Sequence, residues 1–230
     1  MPFHHFPSNF VYWENIESHE NIKSMIEPII LEMNTKIKNN PFSSCKFNTS
    51  LFVMDPEMNR IDDFLYDEKI TDNIVWKPLS KMLDSYKDLN IGSIFAKESI
   101  IKEAWWNVYD KNEFQELHSH QHESICVNGK RYHPSFSVIY VLKDDNEHSS
   151  VVFKQRYPNP FLPLTDDYNF DTSSIHEIKE GTVMIFSSFL EHLVKPCIIP
   201  GRITVAYNIF SAMEWVEAPP QSQLSASKTP

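Results

Sequence analysis

Two periods divide the chain. Between residues 19 and 90 the apolar positions recur at helical spacing, and Ile22, Met25, Ile26, Ile29, Ile30, Met33 and Ile37 share one face. Pro28 falls inside that stripe and must start or kink the helix, because its nitrogen carries no proton to donate. A second helix is predicted from Pro78, in its first turn, through Leu79, Met82, Leu83, Tyr86 and Leu89. The stretch Phe42–Asp72 between them is mixed, with one strand expected at Ser50–Met54. From about Ile91 the period becomes two. Strands are predicted at Ser99–Tyr109, Phe114–His120, Ser135–Leu142, Ser149–Lys154, Ile175–Ile178, Thr182–Ser187, His192–Pro196 and Arg202–Phe210. Short strands separated by turn signals predict a β-sandwich or jelly roll. Gly181, in KEGT, and Gly201, in IIPGRI, read as hairpin turns that need positive φ. The reading is one domain over residues 1–217, with a helical section at 1–96 and a β core at 97–212. The proline- and serine-rich end, 218–230, is predicted to be disordered.

Composition narrows the function classes. The chain has 230 residues, 41% hydrophobic and 23% charged, which is a globular balance long enough to build a core without staples. A formal charge of −10, with Lys and Arg gathered into no stripe, argues against a nucleic-acid partner. Three scattered cysteines fit a reducing compartment. With neither a long apolar run nor a basic leader segment, the expectation is a cytoplasmic protein with no membrane partner. Four glycines are too few for phosphate loops or dinucleotide fingerprints. The serines of SSIH and SSFL lack the glycines of a nucleophile elbow.

Histidine is where chemistry gathers. Four of the ten, His118, His120, His122 and His133, lie close together in sequence. Strand alternation puts Phe114, Glu116, His118, His120 and His122 on one face. Residues i and i+2 sit about 6.6 Å apart at the backbone, so two imidazoles can meet on one ion with bonds near 2.1 Å. Residues i and i+4, about 13 Å apart, cannot. The pair is His118/His120 or His120/His122, and the first is preferred because His122 borders the polar loop before Ser135. His192, opening the apolar strand HLVKP, is the candidate third ligand. Arg202 begins RITVAYNIF after Pro200-Gly201, and an arginine inside an apolar strand needs an anion. A hairpin from His192 to Arg202 would put metal at the mouth of a barrel and arginine below it. That spacing suits a small dicarboxylate, one end on the metal and the other paired with Arg202.

WWNVYDKNEFQELHSHQH, FSVIYVLK, GTVMIFSSFLEHLVKP and RITVAYNIF, in that order, resemble the double-stranded β-helix oxygenases dependent on Fe(II) and 2-oxoglutarate. The resemblance spans roughly residues 97–212, half the chain, and within the family it is similar to oxygenases of bacteria and phages that carry HxH and then a late H…R. It implies an α+β, mainly β fold: a double-stranded β-helix (jelly roll) with N-terminal helices packed against it. It implies Fe(II) on His118, His120 and His192, with Arg202 gripping the distal carboxylate of 2-oxoglutarate and Thr204 assisting. Tyr109 and Asn107 fall where related enzymes place cosubstrate contacts. It further implies O2 and an unidentified organic substrate as partners, with hydroxylation of that substrate, decarboxylation of 2-oxoglutarate and release of succinate. One departure stands out, since most such enzymes have Asp or Glu where this chain has His120. A third imidazole leaves the site one unit more positive; Glu123 supplies a carboxylate only if its loop folds back.

Two other classes compete. Three histidines also suit a cupin-type metal enzyme that needs no 2-oxoglutarate, a thiol dioxygenase or a zinc hydrolase. A noncatalytic jelly roll, docking through its helical half and Trp105-Trp106, is the third. Arg202 favours the oxygenase over the second class, which has no general need of it, and metal-free purified protein would favour the third. The segments Gln121–Pro134 and Gln155–Ser174 are expected to line the substrate mouth.

Overall fold

A computed structural model of the chain describes residues 10–37, 47–51, 53, 60–88, 98–144, 150–155 and 168–212. Its frame is a pair of antiparallel sheets. The larger holds β1 (Val11–Asn15), β2 (Asn48–Thr49), β3 (Glu98–Tyr109), β5 (Ile125–Val127), β6 (Lys130–Lys143), β9 (Thr182–Ser187) and β11 (Arg202–Ala212). Its order is β1-β9-β6-β11-β3-β2, with β5 on β6. The smaller runs β4-β10-β7-β8, from Gln115–His118, Glu191–Val194, Val151–Gln155 and Tyr168–Asp171. This is the jelly-roll architecture the sequence predicts, mainly β with helices added.

The helices cover the outer face of the larger sheet. Helix α1 (His19–Asn34) buries Ile22, Ile26 and Ile30. Helical chain continues from α2 (Glu68–Thr71) through a π-helical turn at Asp72–Trp76 into α3 (Lys77–Asp88). Ile74, Leu79 and Met82 join the α1 isoleucines and Val138, Tyr140, Val205 and Tyr207 of the sheet in one core. A second core, with Phe153, Met184 and Phe186, fills the space between the sheets. Asp62, fully buried, ties the entry to α2 onto β3: it accepts from Arg60 at 2.8 and 2.9 Å and from Ser50 Oγ at 3.0 Å, while Ser50 Oγ accepts from Trp106 N–H.

Several expectations need correction. Met25 is 45% exposed, so the buried stripe of α1 is narrower than its apolar positions suggest. The helix does not start at Pro28, which lies inside it at an exposed position. The strand expected at Ser50–Met54 is Asn48–Thr49 instead, with a turn after it. Ile175–Ile178 is turn, and the strand is Tyr168–Asp171. Asp171 explains the shift: its carboxylate accepts from Ser173 N–H at 3.0 Å and Ser173 O–H at 2.8 Å, closing a 3₁₀ turn over Thr172–Ser174. Gly181 and Gly201 have φ of 88° and 102° as required, yet neither sits in a hairpin. Gly181 follows that turn, and Gly201 lies where the chain crosses from the small sheet to the large one. Gln121–Pro134 is not a loop, since β5 and β6 form a hairpin within it. Tyr86 belongs to α3, while Leu89, residues 156–167 and the tail 218–230 lie outside the described residues. Among those described, no helix is long and apolar enough to cross a membrane.

Candidate metal centre

Strand pairing assembles the site. Antiparallel register sets His192 of β10 directly opposite His118 of β4. Beyond His118 the chain leaves the strand, and His120 N–H bonds Ser188 O at 3.0 Å, which turns its ring inward. The ring centroids then stand 4.2 Å apart for His118–His192, 4.9 Å for His120–His192 and 5.2 Å for His118–His120. One ring nitrogen from each lies within 4.8 Å of the other two, a grouping that could hold a metal ion. Phe186 packs on both His120 and His192, Phe153 on His192 and Trp105 on His120.

Backbone carbonyls fix two of the three tautomers. His118 Nδ1 faces Glu116 O at 2.7 Å, and His192 Nδ1 faces Leu190 O at 3.1 Å. A carbonyl only accepts, so both Nδ1 atoms carry the proton and both Nε2 atoms offer a lone pair. His120 Nδ1 meets Ser137 Oγ at 2.8 Å, and its Nε2 comes within 3.3 Å of His118 Nε2. Burial first, then like charge from neighbouring histidines, pushes His120 down to about 3 and His192 well below the ordinary imidazole value; burial lowers His118 as well. The rings are therefore neutral at neutral pH, which is the ligand form. This donor set fits a divalent ion of the borderline class that imidazole prefers.

Arg202 closes the other end of the same recess. It is 2% exposed, and its Nε and Nη1 have no hydrogen-bond partner among the described residues. Its guanidinium lies 5.7 Å from the centroid of Tyr109, its register partner across β3 and β11. Thr204 and Asn107 form the next pair, joined by Asn107 Nδ2 donating to Thr204 Oγ1 at 3.3 Å, while Asn107 Oδ1 is unpaired. Among the described residues, no Asp or Glu lines the recess. All seven residues singled out from the sequence (His118, His120, His192, Arg202, Thr204, Tyr109 and Asn107) line this one space.

Other candidates fall away. The ring of His122 points elsewhere, toward Asn208 and Glu103, so of the two histidine pairs it is His118/His120 that meets. Glu123 is exposed and outside the cluster, and His133 meets Ser124 Oγ at 2.7 Å. His19, Glu20 and Glu180 also group closely, but Lys23 already pairs with Glu180 there. Gln115 was missed. Its amide accepts from Tyr109 O–H at 3.2 Å and donates to His118 Nε2 at 3.0 Å. Its place three residues before His118 was the only signal in the sequence.

No family model matches the chain, and no curated protein matches it in sequence. Solved structures do match in fold. HygX from Streptomyces hygroscopicus, with nickel and 2-oxoglutarate bound, is 12% identical over 88% of this chain and 82% of its own, with a TM-score of 0.51. AviO1 from Streptomyces viridochromogenes Tue57 is 11% identical over 92% of each chain, with a TM-score of 0.50. An oxidoreductase of the 2OG-Fe(II) oxygenase family from Burkholderia pseudomallei is 15% identical over 86% and 83%, with a TM-score of 0.48. The likeness is one of fold, shared with HygX and AviO1.

Proposed function

We propose that the chain is an Fe(II)- and 2-oxoglutarate-dependent dioxygenase that hydroxylates an unidentified substrate. The observation that carries this reading is a single recess with imidazole lone pairs at one end and an unpaired, buried guanidinium at the other. His118, His120 and His192 hold the metal. Arg202 pairs with the distal carboxylate of 2-oxoglutarate through Nε and Nη1, and Thr204, held by Asn107, offers that carboxylate a hydroxyl. Iron, 2-oxoglutarate and O2 supply the oxidation, which yields succinate, CO2 and a hydroxylated product. Tyr109 and Gln115 wall the recess, Tyr109 under the guanidinium and Gln115 against His118. Phe153, Phe186 and Trp105 keep water from the imidazoles. We place this activity in the cytoplasm, as the composition suggests.

The test is anaerobic addition of Fe(II) and 2-oxoglutarate, read by the visible charge-transfer band of the chelate. The band should vanish in His192→Ala and demand far more 2-oxoglutarate in Arg202→Ala. A well-folded, iron-loaded parent with no band would refute the reading. Three neutral imidazoles without a carboxylate also suit zinc, so zinc-dependent hydrolysis and thiol oxidation are the assays to run on that outcome.

A further inference from the structure

We propose that Glu103, Asn208 and Ser137 form a directional hydrogen-bond chain that fixes the tautomer of His120 and holds its Nε2 lone pair toward the metal. The proposal rests on the metal-centre reading above and adds positioning residues to it.

The direction follows from one end. Glu103 is 8% exposed and lies within 3.6 Å of Lys102 Nζ, and a carboxylate offers acceptors only. Asn208 stands opposite it in the β3–β11 register, 2.9 Å from Glu103 Oε2. The amide must turn its NH2 to that oxygen, because the reverse would press two oxygens together. Its second N–H reaches His122 Nε2 at 3.1 Å, so both donors are used on the outer side. Asn208 Oδ1 then has to face inward. There it accepts from Ser137 O–H at 3.3 Å. Ser188 Oγ is a second acceptor at 3.4 Å. A hydroxyl has one proton, and with it given to either neighbour the Ser137 oxygen can only accept from His120 Nδ1, 2.8 Å away. His120 is thereby protonated on Nδ1.

His118 and His192 get the same tautomer from a carbonyl within two residues of their own position. Among the described residues, His120 Nδ1 meets the Ser137 hydroxyl and no backbone carbonyl. Three side chains from β3, β6 and β11 do that work instead, all buried: Glu103, Ser137 and Asn208. The chain also ends on a carboxylate. A negative group hydrogen-bonded through intermediates to a ligating imidazole makes that imidazole a better donor, and losing such a partner typically costs about 10–100-fold in metal affinity.

The experiment uses the full chain. Nitrogen-15 NMR of the metal-free protein reports which ring nitrogen of each histidine is protonated, and titration with Co(II) alone gives metal affinity. Glu103→Gln lets the Asn208 amide turn either way, and Ser137→Ala removes the acceptor on Nδ1. In both, His120 should become a mixture of tautomers and Co(II) should bind roughly 10–100-fold more weakly. His118 and His192 should keep Nδ1 protonated, which separates loss of the chain from general disruption. Ser137→Thr, which keeps the hydroxyl, should restore both readouts. If Glu103→Gln does not fold, Ser137→Ala and Ser137→Thr still decide. The proposal is overturned if His120 remains wholly Nδ1-protonated in the alanine variant, or if Co(II) affinity is unchanged. Failure of the parent to bind Co(II) would instead sink the metal-centre reading, and the tautomers of the metal-free protein would still decide the chain.

Discussion

Arg202→Met separates a ligand-binding arginine from a structural one, because the two roles give opposite signs of stability. The guanidinium is buried with two nitrogens unpaired. An unsatisfied buried donor costs about 1–3 kcal/mol, so two cost about 2–6. The Tyr109 ring returns about 0.5–2 kcal/mol of that as a cation–π contact. Methionine keeps an apolar stem of similar reach in a recess that Ile139, Val151 and Val194 also line, and it carries no donor. The ligand-free variant should therefore be more stable than the parent by on the order of 2 kcal/mol, or about 5 °C in Tm. Binding should move the other way. Two charge-assisted hydrogen bonds to a distal carboxylate contribute about 1.5–3 kcal/mol each, so 2-oxoglutarate affinity should fall by roughly 10²–10⁴-fold. Urea unfolding of the ligand-free proteins gives the first number, and anaerobic calorimetry on the Fe(II)-loaded proteins gives the second. A variant that is less stable than the parent without ligand would mean that the fold itself uses the guanidinium, and the reasoning would fail.

Three further predictions test neighbouring parts of the argument. In the unfolded chain an imidazole takes a proton near pH 6.5, whereas folded His120 does so only near 3, so the unfolded state binds more protons throughout that window and stability falls as pH drops. At pH 5 His120 alone should cost the metal-free protein about 2 kcal/mol relative to pH 7, and a His120→Leu variant should show a shallower pH dependence in urea; identical slopes would refute it. Arg60→Met strips the buried Asp62 carboxylate of its guanidinium and leaves it Ser50 Oγ, so unfolding free energy should drop by about 3 kcal/mol, and a drop under about 1 would show that Asp62 does not anchor this segment. Gln115→Ala removes the donor that occupies the His118 Nε2 lone pair, so Co(II) alone should bind about 3–10-fold more tightly, and weaker binding would contradict that competition.

What the sequence revealed depended on the range of the interaction. His118 and His120 were legible because period-two alternation is local and i,i+2 spacing fixes their separation. Arg202 was legible because a charge inside an apolar strand breaks a local rule. The crossing at Gly201 was not, since alternation shows which face a residue takes but not which sheet its strand joins. Nor was β1, five residues whose pairing partner, β9, lies far along the chain. Asp171 was equally hidden: its carboxylate meets Ser173 and closes the 3₁₀ turn Thr172–Ser174 ahead of Ile175–Ile178, a contact that no apolar period shows. Glu103 was hidden most deeply. It meets Asn208 through a register that shifts between Asn208 and Ile209, leaving Lys102 as the extra residue, and no periodicity specifies such a shift.

The same contrast explains why the recess is credible as a binding site. The fold pairs its buried polar groups where it can: Asp62 has a guanidinium and a hydroxyl, and Glu103, Asn208 and Ser137 satisfy one another in series. Among the described residues, seven buried side-chain atoms lack a partner, and three of the seven, Arg202 Nε, Arg202 Nη1 and Asn107 Oδ1, belong to residues lining the one recess that holds the three histidines. The other four are scattered singly over Ser18, Asn34, Trp106 and Ser150, whereas a cluster of unmatched polar atoms in one recess suits a place where a ligand supplies the partner. Two of those atoms are donors on a cation and, among the described residues, no carboxylate lines the recess, so an anion is the partner that would satisfy them. The imidazole lone pairs at the far end call for a cation. A dicarboxylate chelated to a divalent metal satisfies both demands at once, and neither an apolar ligand nor a second strand of protein does.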